Sequence, residues 1–172
     1  MPRPRIEALE AERVRLEPLT VDHALPMVDV LTDSALYRFI GGRPPTLAEL
    51  QRRYAAQVVG HSPDQTQWWL NWIVGLRDPA CRIGYVQATV EQSLVTLEAD
   101  IAWVIAPEFQ GRGAATEAAG AMIDWLTAHG VGQFVAHIHP KHDASQAVAR
   151  KLGLRPTALV EDGEVRWQSS TR

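Results

Sequence analysis

The chain has 172 residues, 46% of them apolar and 22% charged, the balance of a soluble globular protein long enough to enclose a substantial core. A net charge of −3 argues against a nucleic-acid binder, the lone Cys81 excludes an intrachain disulfide framework, and no apolar run approaches the roughly 20 residues that span a bilayer. The arginines of MPRPRIEALE have no apolar stretch behind them, so this segment does not read as a secretory signal, and a cytoplasmic protein that engages neither nucleic acid nor membrane is expected.

Alternation over Arg13–Leu19 predicts a first strand. Thr20, with Asp22 behind it, predicts a helix start, and an uneven helix interrupted near Pro26 runs to about Ile40. Gly41-Gly42-Arg43-Pro44-Pro45 breaks the chain, and Thr46-Leu47-Ala48-Glu49 has the capping-box pattern that opens a helix ending near Gly60. The period then changes. Segments 67–77, 82–91 and 94–105 are β-rich and joined by short turns, which predicts an antiparallel meander. A helix over 112–129 follows, with Ala115, Ala119, Met122 and Leu126 on one stripe and Gly130 closing it. A strand at 133–139, a short helix at 144–152 and a strand at 154–161 come next, and Asp162-Gly163 signals a hairpin into a last strand at 164–169. No repeat, linker or low-complexity block interrupts this order, and one domain over 1–172, with its core at about 13–168, is expected.

The most chemically informative stretch is Asp100–Leu126, an apolar strand, a glycine-bearing turn and an amphipathic helix. Gly111 and Gly113 lack a Cβ, so the turn between them is free to present backbone amides to a diphosphate. The helix that follows offers unpaired N–H groups and the positive end of its dipole. Arg112 adds a guanidinium suited to phosphate oxygens. A dinucleotide-binding reading fails because there is no third glycine, no acidic strand end at the usual spacing and no βαβ alternation in the preceding meander.

Two motifs in this order resemble the GNAT acetyltransferase superfamily, above all its branch of ribosomal-protein N-terminal acetyltransferases and small-molecule resistance enzymes. The first is Gln110-Gly111-Arg112-Gly113-Ala114-Ala115, extended by Thr116-Glu117-Ala118, and the second is His142-Asp143-Ala144-Ser145 with Lys151-Leu152-Gly153-Leu154. The resemblance covers Arg13 to about Gln168 and implies an α/β GNAT fold, a twisted mixed but mostly antiparallel sheet with helices on both faces. It implies acetyl-CoA as co-substrate, held by Gln110–Thr116, by Val104 and Ile105 on a strand that splays from its neighbour, and by His142 and Ser145. It also implies transfer of the acetyl group to a primary amine by direct attack in a ternary complex.

Such a transfer needs a base for the amine and a proton for the leaving thiolate. The resemblance places a carboxylate base at Asp100, and Glu98 shares its strand face by two-residue alternation. Ser145 occupies a position from which a hydroxyl stabilises the thiolate. Two departures stand out: His142 replaces the family's asparagine, and Ala149 replaces the tyrosine that many relatives use as general acid. His137 and His139 are expected in or beside the acceptor cleft or half-buried, and a histidine such as His139 is a rival to Asp100 as base. His137, His139 and His142 form a His-x-His-x-x-His run, but without a further cysteine or a well-spaced carboxylate it argues for no metal.

Trp68 and Trp72 share a strand face, and this strand together with the 20–60 helices is where acceptor specificity is expected. Arg38, Tyr37 and Arg43 near the double glycine read as ordinary loop residues beside it. A protein N-terminus, a polyamine, an amino acid and an antibiotic all satisfy the pattern as acceptor, and exposed strand surface suits a homodimer. The alternative reading is a non-catalytic acyl-CoA-binding sensor of the same fold, suggested by the missing asparagine and tyrosine. A histidine-based metalloprotein is the third.

Overall fold

A computed structural model of the chain describes residues 3–170. The expected domain limits of 1 and 172 therefore fall outside the described residues. The strands are β1 (Leu9–Glu10), β2 (Val14–Pro18), β3 (Gln67–Leu76), β4 (Cys81–Gln92), β5 (Leu97–Ile105), β6 (Val131–Ile138), β7 (Arg155–Glu161) and β8 (Glu164–Gln168). The helices are α1 (Ala24–Val30), α2 (Tyr37–Ile40), α3 (Leu47–Gln57), α4 (Ala114–Ala128) and α5 (Asp143–Lys151).

The strands form one eight-stranded sheet in the order β1-β2-β3-β4-β5-β6-β8-β7. Every neighbouring pair is antiparallel except β5 and β6, which run parallel because α4 carries the chain back between them. This is the mixed, mostly antiparallel sheet that the sequence leads one to expect, with helices on both faces. The pleat sends Trp68, Leu70, Trp72 and Val74 of β3 to one face, where they pack with Ala118, Met122, Trp125 and Leu126 of α4. Ile73 points to the other face and joins Ala24, Met27 and Leu31 with Leu50 and Tyr54 of α3.

The local signals that proved strongest are caps and turns. Thr46 Oγ1 accepts from the Glu49 N–H at 3.2 Å and Glu49 Oε2 accepts from the Thr46 N–H at 2.9 Å, so the capping box at the head of α3 is closed in both directions. Asp162 and Gly163 both adopt positive φ, 49° and 81°, as a two-residue hairpin of this hand requires.

Elsewhere the structure corrects the expected bounds. The helix expected from Thr20 to Ile40 is four short pieces, with 3-10 turns at Val21–His23 and Ser34–Leu36 around α1 and before α2. The strand expected from residue 94 starts at Leu97, because Ser93 and Thr96 close a turn (N–H to carbonyl, 2.8 Å). α4 starts at Ala114 rather than 112, since Gly113 is its left-handed N-cap at φ 80°. Its buried stripe accordingly includes Ala114 and Trp125, whereas Ala115 is only half-buried. Trp68 and Trp72 lie in the core against α4, Trp72 meeting Trp125 edge-on at 5.4 Å, so neither indole lines the cleft between β5 and β6. No helix among the described residues is long and apolar enough to cross a membrane.

Candidate active site

The parallel contact between β5 and β6 is short. It pairs Leu97–Asp100 with residues 131–135 and ends at Asp100 opposite Val135. Beyond that point β5 continues to Ile105 along β4, while β6 leaves it to pair with β8 through His137–Arg166 and Ile138–Val165. The sheet therefore splits, and Asp100 stands at the apex of the split. On one side of the resulting wedge, residues 101–105 keep a backbone edge without a strand partner, the kind of edge an extended amide-bearing ligand can pair with. The close approach of β4 to β5 on the other side depends on Gly84, where a Cβ would fall 1.9 Å from the Val104 carbonyl oxygen.

The wedge opens into a cleft of about 1110 Å³. Its far end is the turn before α4. Gly111 and Gly113 both hold φ near the left-handed region, 75° and 80°, which aims the chain so that Ala114, Ala115 and Thr116 open the 15-residue α4 with N–H groups lacking helical acceptors. Gln110 spends its side-chain amide on the Ile105 carbonyl at 2.7 Å and so ties this turn to the end of β5. A second tie comes from the bend just before β2. Arg13 Nη1 donates to the Arg112 carbonyl at 2.7 Å, and Arg13 Nε donates to Glu117 Oε2 at 2.9 Å. Burial opposes ionisation of Glu117, but bonds from the Arg13 and Val14 backbone and from the Arg13 side chain outweigh it and hold the carboxyl below its ordinary value. Arg112 itself is exposed and its side chain lies outside the cleft lining.

At the apex, His137 on β6 reaches across to β5. Its Nδ1 is 3.1 Å from Asp100 Oδ2, and its Nε2 is 3.3 Å from Glu161 Oε2 on β7. Neither contact has the alignment of a hydrogen bond, and Nε2 is buried without a hydrogen-bond partner. Half of the Asp100 side chain meets solvent (50%), against 20% for His137 and 72% for Glu161. Desolvation by the cleft walls raises the Asp100 pKa above its ordinary value, although the neighbouring His137 and Arg166 pull it down. Glu164, the β8 residue that also lines this end, is raised by burial as well.

Glu98 is placed otherwise. Both its oxygens are 3.0 Å from Arg166 Nη2, both partners are largely buried, and Glu98 does not line the cleft.

α5 forms the remaining wall. His142 precedes it and Ser145 sits in its first turn, with the Ser145 Oγ 3.3 Å from His142 Nε2. Burial, and then the proximity of His139, lowers the His142 pKa against an opposing effect of Asp143, so the ring stays neutral at neutral pH. Phe39 of α2 closes over this wall, stacked on His142 at 4.6 Å and tilted against His139 at 5.3 Å. Ala149, where relatives keep a tyrosine, is fully buried. Among the described residues no group of three or more His, Cys, Asp and Glu side chains has the arrangement to hold a metal.

Asp100, Val104, Ile105, Gln110, Gly111, Gly113, Ala114, Ala115, Thr116, His139, His142 and Ser145 thus line one cleft, whereas Glu98 and the Arg112 side chain do not. Arg38 and Phe39 line it too, while Arg43 is turned to Glu49 at 2.6 Å and the Tyr37 hydroxyl to the Leu31 carbonyl at 2.8 Å. Phe39, Glu161 and Glu164 are lining residues that sequence reasoning did not select, whereas His137 was expected, with His139, in or beside the cleft. For His137 a signal existed, since it shares a strand face with His139. Its pairing with Asp100 depends on the β5–β6 register, which no local pattern announces.

Residues 13–155 match the family model described as Acetyltransferase (GNAT) domain, and the chain belongs to the GNAT acetyltransferase family. No curated protein matches it in sequence. Among solved structures it is similar to RimL, the ribosomal L7/L12 alpha-N-protein acetyltransferase in complex with coenzyme A, with a TM-score of 0.79, 16% identity and 96% and 98% of the two chains covered. The ribosomal-protein-S5-alanine acetyltransferase from Vibrio fischeri gives a TM-score of 0.76 at 17% identity over 95% and 96%. The microcin C7 self-immunity acetyltransferase MccE, in complex with acetyl-CoA and AMP, gives 0.75 at 14% over 92% of each chain. These likenesses show a common fold.

Proposed function

We propose that the protein transfers the acetyl group of acetyl-CoA to a primary amine by direct attack in a ternary complex. The observation that carries this reading is the split of β5 from β6 at Asp100, with the N-terminus of α4 at the far end of the same cleft. Family membership supports acetyl transfer, and two of the structural neighbours carry CoA or acetyl-CoA.

Acetyl-CoA supplies an activated acyl thioester when bound. The residues suited to hold it are the amides of Gly111–Thr116 for the diphosphate and the open edge of Val104 and Ile105 for the pantetheine amides. In this reading Ser145 Oγ, which lines the cleft, donates a hydrogen bond toward developing thiolate charge, the role the absent tyrosine would otherwise fill. The Asp100 apex is where the amine loses its proton, since the raised carboxyl and its imidazole neighbour face the acceptor end of the cleft.

Calorimetry with acetyl-CoA, followed by an amine panel read by thiol release, tests this directly. Gly113→Trp places a bulky side chain at a left-handed position beside Arg13 and should abolish acetyl-CoA binding. Undiminished binding by that variant, or none by the wild type, rejects the site. Binding without turnover across the panel, unaltered by Asp100→Ala, makes the protein a non-catalytic acyl-CoA sensor.

A further inference from the structure

We propose that His137 Nε2 is the atom that accepts the proton of the acceptor amine, and that Asp100 is a positioning residue acting through the imidazole. This rests on the reading of the cleft as an amine acetyltransferase site.

Three strands supply the arrangement. β5 brings Asp100, β6 brings His137 and β7 brings Glu161. Asp100 Oδ2 lies 3.1 Å from Nδ1, nearer than the 3.3 Å of Glu161 Oε2 from Nε2, and a carboxylate, which only accepts, favours the ring proton on that nearer nitrogen. That choice leaves a lone pair on Nε2, the buried ring nitrogen without a hydrogen-bond partner. A buried polar atom without a partner is costly, and a donor from the substrate relieves it. Glu161 Oε2 stands 3.3 Å from Nε2 on a largely exposed side chain, able to yield to an incoming ammonium and then to stabilise the imidazolium. Glu98 cannot substitute, being bound by Arg166. The other charged or titratable neighbours are Glu164 and Arg166 on β8, Asp162 in the hairpin and His139 beyond the end of β6.

The acceptor enters as an ammonium. One N–H bond breaks and an Nε2–H bond forms, giving an imidazolium between Asp100 and Glu161. The freed nitrogen lone pair makes the C–N bond to the thioester carbonyl carbon as the C–S bond breaks. The thiolate leaves with the C–S electron pair and takes a second proton from the amine nitrogen. The imidazolium returns its proton to solvent past Glu161, so one proton is released per acetyl transferred.

The test has an arm independent of turnover. Long-range 1H–15N spectra of the 15N-labelled full chain, with and without acetyl-CoA, report which nitrogen of the neutral His137 ring is protonated. Nδ1 protonation is expected, with Asp100→Ala shifting the ring toward Nε2 protonation. A wild-type ring protonated on Nε2, or one indifferent to Asp100→Ala, overturns the proposal. In the second arm, using the amine the panel identifies, His137→Ala should lower kcat about 100-fold or more with the acetyl-CoA Kd unchanged. Added imidazole should then restore rate to His137→Ala but not to Asp100→Ala. A His137→Ala enzyme at wild-type rate, with Asp100→Ala inactive and rescued by formate, makes Asp100 itself the base and overturns the proposal. If the wild type releases no thiol with any amine, the amine-transfer reading fails, while the spectrum still decides the imidazole assignment.

Discussion

Asp100 is held between opposed influences: cleft walls that desolvate its carboxylate, and the neighbouring His137 and Arg166, which favour it. Burial prevails, so the neutral acid gains relative to its ordinary value, an uncommon condition for a carboxylate beside an imidazole. Gly84 is a second position where one atom decides the outcome. Its missing Cβ lets the Val104 carbonyl lie against β4. Gly84→Ala should cost about 1–3 kcal/mol of stability through overpacking, seen as a lower urea midpoint at unchanged m-value. It should also weaken acetyl-CoA binding, because the strand it displaces is the open edge of the wedge. Gly111 and Gly113 were legible as special from residue type alone, since small residues between a strand and a helix imply positive φ. The Asp100–His137 pair was not, because the two residues lie 37 positions apart and meet only through strand pairing.

At the scale of elements, two helix heads show how local and distant chemistry combine. The head of α3 is self-contained. Glu49 is held down to about 2 by its Arg43 hydrogen bond and by the Thr46 N–H. A carboxyl with a depressed folded value adds stability that is fully present above its ordinary value of 4.5 and is lost as pH falls toward about 2. Acid titration followed by carboxyl-carbon NMR should therefore show Glu49 ionised at pH 3.5, and Arg43→Ala should move its titration upward. The head of α4 is held from a distance, by Arg13 just before β2. Arg13→Ala should loosen the loop and raise the acetyl-CoA Kd several-fold by calorimetry while leaving kcat near wild type, and Arg13→Lys should recover only part, since one ammonium cannot reproduce the fork. The α3 cap could be read from four consecutive residues. The Arg13–Glu117 clamp spans 104 positions and could not.

At the scale of the whole molecule, the pleat of one sheet separates a large core under α4 from a smaller one under α1 and α3, and the cleft opens where the second layer stops. Trp72 is fully buried in the larger core, its indole N–H donating to the Glu7 carbonyl at 2.8 Å. Trp72→Ala should cost about 3–5 kcal/mol in urea unfolding, with the Asp100–His137 contact surviving in the folded fraction because it lies on the opposite face. Acetyl-CoA at 100 times its Kd should add about 2.7 kcal/mol of apparent stability to the wild type and none to Gly113→Trp, read as a thermal shift.

The sequence by itself determined the order of elements, the glycine turn before α4, the α3 cap and the Asp162-Gly163 hairpin, because each depends on residues within a few positions of one another. Two motifs in order sufficed for the family. Only the tertiary structure decided that Trp68 and Trp72 are core, that Glu98 is bound by Arg166, and that His137 lies between Asp100 and Glu161. Those facts depend on which strands are neighbours and where β5 and β6 part, and a one-residue slip of a strand would turn that strand's side chains to the other face.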